Sequence, residues 1–454
     1  MTANTLFLAL DGLGLENVQH WRRQGLLPFF DKILDQWQVA AVTNYPGTGD
    51  SAYWRSVHTG CAPGRNGHYF PMPFNSSTYL SKEYAYHTDH RKTNFWDWFD
   101  ARGKTCAVVD MAQTAVSRPS RGKQVRGWLL TDRFYAADSF PGNLISEIQS
   151  QYGDDPVTGY HDRKDLNESE KSYLAQAYLQ RIDIKMDLVR DWLVDDLDLL
   201  CVGFSDIHDC SHQCWHLCES DNSDGANPIR DVLIKLDQAM SELIEISGAD
   251  KVFITGGLGM QEYTSASMGL DHVLGALSGH SGTDSELEAM RPQRPYFKTL
   301  HNSMTGAIQL NLIGRESSGI IDPSDYDRTC DELIERLSGL VDDVTGEPLI
   351  KQIFKVKDVH KGPYAKEFPD IFIEWQRDRP TNRVRLDGVG VFDNVSAIPV
   401  ENRSGDHNDD AFLITNQCID TSSLIYAHDI APTIACANDV NYMLIDGSSL
   451  LASK

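Results

Sequence analysis

Imidazoles recur every four residues in FSDIHDCSHQCWH, residues 204–216, as His208, His212 and His216. On a helix that spacing sets them along one face. A His-x-x-x-His pair there can offer two ring nitrogens to zinc or another borderline divalent cation. Asp206 and Asp209 stand beside them as alternative oxygen ligands. His407 lies far downstream, in RSGDHNDDAFLI, just before an apolar run. Asp11 ends the run TLFLAL and opens the turn DGLG, so a carboxylate stands where the backbone bends sharply. A metal ligand and a simple turn residue both fit that position.

A hydroxyl is also on offer. In TGDSAYWRSVHTG, residues 48–60, a helix starting near Ser51 would gather its first N–H groups around that side chain. Such an end binds phosphoryl or sulfuryl oxygens, and an Asp50 or Ser51 N-cap uses the same geometry. Thr48 is a second hydroxyl candidate, and Asp50 a neighbouring carboxylate.

Remote residues need elements to bring them together. TLFLAL (5–10), KTCAVVD (104–110), DLLCVGF (198–204), DKVFITG (250–256), AIQLNL (307–312), PDIFIEW (369–375) and AFLIT (411–415) read as buried strands. Helical patterns at 94–102, 169–194, 228–247 and 324–340 alternate with them. That order predicts one α/β domain over 1–454, a doubly wound, mostly parallel sheet with helices on both faces. Sites in such sheets form at the carboxyl ends of strands, where Asp11, the 205–212 cluster and Gly256-Gly257 all fall. Residues 69–93 and 262–306 break the pattern and are expected to be inserted cap or lid segments.

The net charge of −24 disfavours nucleic acid and anionic membrane partners, and phosphate esters too unless bound cations invert the local field. No apolar run reaches 18 residues. The N-terminus has no basic leader, and nine scattered cysteines suit reduced thiols, so a soluble, cytoplasmic chain is expected.

The order of these stretches resembles the alkaline phosphatase superfamily, and within it the type I phosphodiesterase/nucleotide pyrophosphatase branch with its phosphohydrolase/phosphomutase-like bacterial members. NFWDWFDARGK (94–104), NLIGRESSGIIDPSDY (311–326), KGPYAKEFPDIFIEW (361–375), SGDHNDDAFLI (404–414) and AHDIAPTIA (427–435) carry the resemblance along the chain. It implies two divalent metals and a nucleophile that attacks phosphorus in line. One metal is held by an Asp and two His. The other is held by the first-strand Asp, the nucleophile and an Asp-His pair.

Carried over, Asp11 matches the first-strand ligand, Ser51 the nucleophile, His212 the histidine of a DxxxH segment, and His407 the late histidine. Strict spacing to Thr59-Gly60 would put Asp50 at the nucleophile position. Two departures follow. His208 stands where the family has the Asp of DxxxH, and Gly256-Gly257 in ITGGLGM stand where it has Asp-His. Asp271-His272 is a substitute pair for the latter. CAPGR (61–65) imitates a sulfatase Cys-x-Pro-x-Arg but follows the Thr-Gly turn that should come after it.

The expectation is a hydrolase or transferase of small-molecule phosphate mono- or diesters acting through Ser51. Its site is rearranged around one or two divalent ions, zinc by preference, with manganese or iron as alternatives. Two other readings are a catalytically silent binding module of the same fold and a sulfatase-like or phosphonate-directed enzyme. If only ligands were missing, Gly256→Asp with Gly257→His should restore a second metal.

Overall fold

Leu6, Leu8 and Leu10 of the Ala3–Leu10 strand face one core, and Phe7 and Ala9 face another. A strand apolar on both faces needs helices on both sides of its sheet. The Pro28–Gln36, Glu168–Trp192 and Pro228–Ser247 helices cover one side. The Asp50–Thr59, Phe95–Asp100 and Ile430–Ala437 helices cover the other. The computed structural model describes residues 3–81, 93–119, 121–130, 136–159, 167–217, 227–264, 268–394 and 403–452.

Eight strands form the central sheet. Five parallel strands occupy its middle, in the order Lys251–Gly256, Ala3–Leu10, Leu197–Phe204, Cys106–Val109 and Gly122–Arg126. Antiparallel strands flank them: Phe412–Thr415 and Gln38–Ala41 at one edge, Asp138–Phe140 at the other. Leu10 is in register with both Phe204 and Gly256. The turns after these three strands therefore leave the sheet side by side, which is what gathers a site.

AIQLNL and PDIFIEW are strands of a different sheet. Tyr296–Thr299, Thr305–Leu310, Ile371–Trp375 and Ile350–Lys355 pair antiparallel in that order. Their core draws on residues from Met268 to Leu386, among them Leu274, Ile308, Leu333 and Ile373. This second sheet and its core form a unit inserted in the chain between the Lys251–Gly256 and Phe412–Thr415 strands of the central sheet. The described part of 69–93 is a small hairpin, Phe74–Asn75 with Leu80–Ser81, seated on it. Phe74 packs on Phe297, and the Tyr79 hydroxyl donates to Asn311 at 2.7 Å. Residues 82–92 and 265–267 of the two expected insertions lie outside the described residues. Among the described residues, no helix is long and apolar enough to cross a membrane.

Candidate metal centre

The Leu197–Phe204 strand runs through Ser205 into a helix, Asp206–Cys214. One turn of that helix separates His208 from His212, so both rings leave the same face. The strand Gly405–His407 lies against this helix and pairs antiparallel with Met260–Glu262, His407 opposite Met260. The three Nε2 atoms converge: His208 stands 2.9 Å from His212 and 3.1 Å from His407. Among the described residues this trio is the group whose ligand atoms meet within 4.8 Å of one another.

Each ring's other nitrogen has an acceptor. His212 Nδ1 faces the Gly405 carbonyl at 2.8 Å, and His407 Nδ1 the Leu258 carbonyl at 3.3 Å. His208 Nδ1 faces Asp11 Oδ2 at 3.1 Å. Holding Nδ1–H in this way turns the Nε2 lone pair inward, as metal-binding imidazoles require. Tetrahedral bonds of about 2.0–2.1 Å set ligand nitrogens roughly 3.3–3.4 Å apart. The His208–His212 and His208–His407 spacings need only a small expansion, so the donor set fits one borderline cation. The sequence pointed to His208, His212 and His407, and the fold gathers all three.

His216 leaves the row because the helix tightens into a 3₁₀ turn, Trp215–Leu217, where its Nδ1 meets Ser404 Oγ at 2.9 Å. Asp209 is held by Arg181 at 2.8 Å. Asp206 is fully buried 3.9 Å from the same guanidinium, and burial pushes its carboxyl up to about 6. Neither aspartate belongs to the imidazole trio.

Asp11 stands beside the trio, with both carboxylate oxygens partnered. One oxygen meets His208, and the other accepts the Trp54 indole N–H at 2.5 Å. Burial alone would raise the Asp11 carboxyl, but the charge and hydrogen bond of His208 outweigh it and hold it below its ordinary value. Burial likewise opposes charge on His208, yet Asp11, with smaller pulls from Asp209 and Asp50, lifts it to about 9. Gly12, at φ +73°, lets this turn touch the helix. A Cβ there would lie 2.6 Å from His208 Cα.

Gly256 and Gly257 not only lack ligands; the space for them is filled. A Cβ on Gly256 would stand 2.2 Å from the Leu13 carbonyl oxygen and 2.3 Å from the Phe412 ring. On Gly257 it would stand 2.8 Å from the Trp54 indole. The substitute pair is elsewhere. Asp271 lies in the inserted unit, bound to Arg294 at 2.8 Å, and His272 lies 3.6 Å from Asp284.

The Asp50–Thr59 helix spans the carboxyl edge of the sheet. Tyr53 donates to the Gly256 carbonyl at 2.7 Å, Trp54 to Asp11, and Ser51 to Gln113 Oε1 at 3.2 Å. Asp50 and Ser51 are its first two residues, after the N-cap Gly49. The Thr48 hydroxyl is turned back onto the Tyr45 carbonyl at 2.9 Å. A cleft of about 300 Å³ opens between Thr48, Gln261 and Asn408 on the sheet side and Lys351, Glu374 and Arg377 on the inserted unit. Arg377 braces its rim, bonding Asp406 at 2.8 Å and the His407 carbonyl at 2.7 Å. Sequence reasoning missed Trp54, Gln113 and Arg377. Trp54 sat in the nucleophile stretch, and a signal for it was the need for a donor near a buried Asp11.

No protein-family model matches the chain, and no curated protein sequence does. Solved structures match over nearly its whole length. Phosphonoacetate hydrolase from Sinorhizobium meliloti, solved with phosphonoformate, aligns at TM-score 0.55 and 12% identity, over 97% of this chain and 96% of that one. The chain has the fold of that hydrolase. Murine ectonucleotide pyrophosphatase/phosphodiesterase 5, an inactive variant with AMP, aligns at 0.54 and 11%, over 98% and 97%. The human counterpart aligns at 0.51 and 12%, over 99% and 97%.

Proposed function

We propose that this protein is a single-metal hydrolase of small phosphate or phosphonate compounds, with His208, His212 and His407 as its metal ligands. The observation that carries the reading is the convergence of three Nε2 atoms whose Nδ1 partners are all acceptors. A divalent cation held there would supply positive charge to a phosphorus-bound oxygen. Zinc suits three imidazoles, with manganese or iron as alternatives.

Every other part is played by the chain. Asp11 fixes the tautomer of His208 by accepting its Nδ1–H. The N-terminus of the Asp50–Thr59 helix offers backbone N–H groups to anionic oxygens. Ser51 is the attacking hydroxyl, and the cleft beside Thr48 and Asn408 receives the leaving group. Ser51 meets a neutral carboxamide, Gln113, rather than a strong base, so a slow enzyme is expected. The neighbours solved with phosphonoformate and AMP support a small phosphorus-containing substrate.

One observation favours a second reading. Trp54 lies against Gly257, one of the two positions where the resemblance implies a ligand of the nucleophile's metal. A chain built that way could keep the fold as a phosphate-sensing module without turnover.

The test loads the purified chain with zinc or manganese and offers p-nitrophenyl phosphate, its bis-ester, a phosphonate ester and p-nitrophenyl sulfate. Turnover of the phosphorus compounds that disappears in Ser51→Ala is the expected result. A metal-loaded chain inert toward all four supports the binding module instead, and sulfate-only turnover contradicts both.

A further inference from the structure

Two non-glycine residues in the left-handed backbone region stand together after the Cys106–Val109 strand: Asp110 at φ +49° and Gln113 at φ +55°. Side chains rarely adopt that conformation, and surroundings that hold one there often serve a site. This loop is held from both ends. Asp110 accepts the Trp128 and Leu129 N–H groups, each at 3.0 Å, and pairs with buried Lys185 at 3.3 Å. Ala112 is pinned through its carbonyl by His58 Nε2 at 2.9 Å. His58 and Ser51 lie two turns apart on one helix, so the register that pins Ala112 also sets Ser51 against Gln113, at 3.2 Å.

We infer that Gln113 is a positioning residue for Ser51, an inference that rests on Ser51 being the attacking hydroxyl. With Oε1 toward Ser51, the carboxamide accepts a hydrogen bond from the hydroxyl and so leaves the oxygen's lone pairs free on the opposite side. Attack forms a bond from Ser51 Oγ to phosphorus. The leaving group departs with its bonding pair, and the hydroxyl proton passes to solvent. As that proton leaves, an acceptor is no longer useful. A half-turn of the carboxamide presents Nε2–H to the same oxygen, because an amide carries both roles on one planar group. A carboxylate cannot make that exchange, and it repels the developing negative charge.

The experiment measures kcat, KM and the pH profile of kcat/KM for the full zinc-loaded chain on p-nitrophenyl phosphate and its bis-ester. Gln113→Ala should lower kcat roughly 10- to 100-fold, with KM changed less than about threefold. Its basic-going limb should move up by about one pH unit. Gln113→Glu should move that limb further up. A purely structural role would lower Tm or zinc occupancy and leave the limb in place, which overturns the inference. So would folded, zinc-replete variants with unchanged kcat and limb. Ser51→Ala separates the two claims. If it is inactive while the Gln113 variants behave as wild type, only the Gln113 assignment fails. If it is fully active, or if the wild-type chain turns over neither ester, the nucleophile reading fails and takes the assignment with it.

Discussion

Asp11 is a strand-end carboxylate with both oxygens taken, one by His208 and one by Trp54. A strand-end carboxylate beside a glycine turn is legible from sequence. Its partners are not, because they depend on which helix lies across the sheet edge. Here a neutral indole N–H donates to one carboxylate oxygen and His208 meets the other. Two other buried imidazoles contribute to the acid behaviour of the fold. His58 and His301 are both held down to about 3 from 6.5, chiefly by burial. Unfolded, they take up protons near pH 6.5; folded, they stay neutral until about pH 3. The unfolded chain binds more protons in between, so these groups make stability fall as pH drops below 6.5. Asp206, raised to about 6 by burial, works in the opposite direction over the lower part of that window. His58→Gln should therefore flatten the decline between pH 6 and 4.5 by about 1.4 kcal/mol per pH unit. Urea unfolding at several pH values checks it, and an unchanged slope would contradict a neutral His58.

At the scale of elements, the three parallel strands that end at Leu10, Phe204 and Gly256 explain most of what the sequence made visible. Their apolar runs were plain, and the carboxyl-end rule placed Asp11, the histidine helix and the glycine pair together. The pairing of Gly405–His407 with Met260–Glu262 was not plain, because three-residue strands carry too little pattern. AIQLNL and PDIFIEW read correctly as strands, but an apolar run does not say which sheet it joins. Gln113 had no signal at all, since a left-handed glutamine looks like any other. The glycine pair shows what structure adds to a motif. From sequence, Gly256→Asp with Gly257→His should rebuild a second metal site. In the fold, both new side chains start inside Leu13, Phe412 and Trp54. The double variant should lose several kcal/mol of stability through overpacking and bind no additional ion. Thermal melts and metal analysis of the variant check this, and a stable protein with two ions would refute it.

For the whole molecule, a net charge of −24 sets the terms. Such a chain repels phosphate compounds at long range, so the positive charge that attracts them has to be local. The N-terminus of the Asp50–Thr59 helix supplies a fraction of it, and a cation on three imidazoles would supply the rest. Thr305, Lys351, Glu374 and Arg377 of the inserted unit then form the far wall of the cleft. The central claim is one metal per chain, and inductively coupled plasma mass spectrometry on the purified, zinc-saturated and desalted protein tests it most directly. The account predicts one ion per chain, lost when His212→Ala and His407→Ala are combined. Two ions per chain, or none after saturation with zinc, manganese and iron in turn, would contradict it.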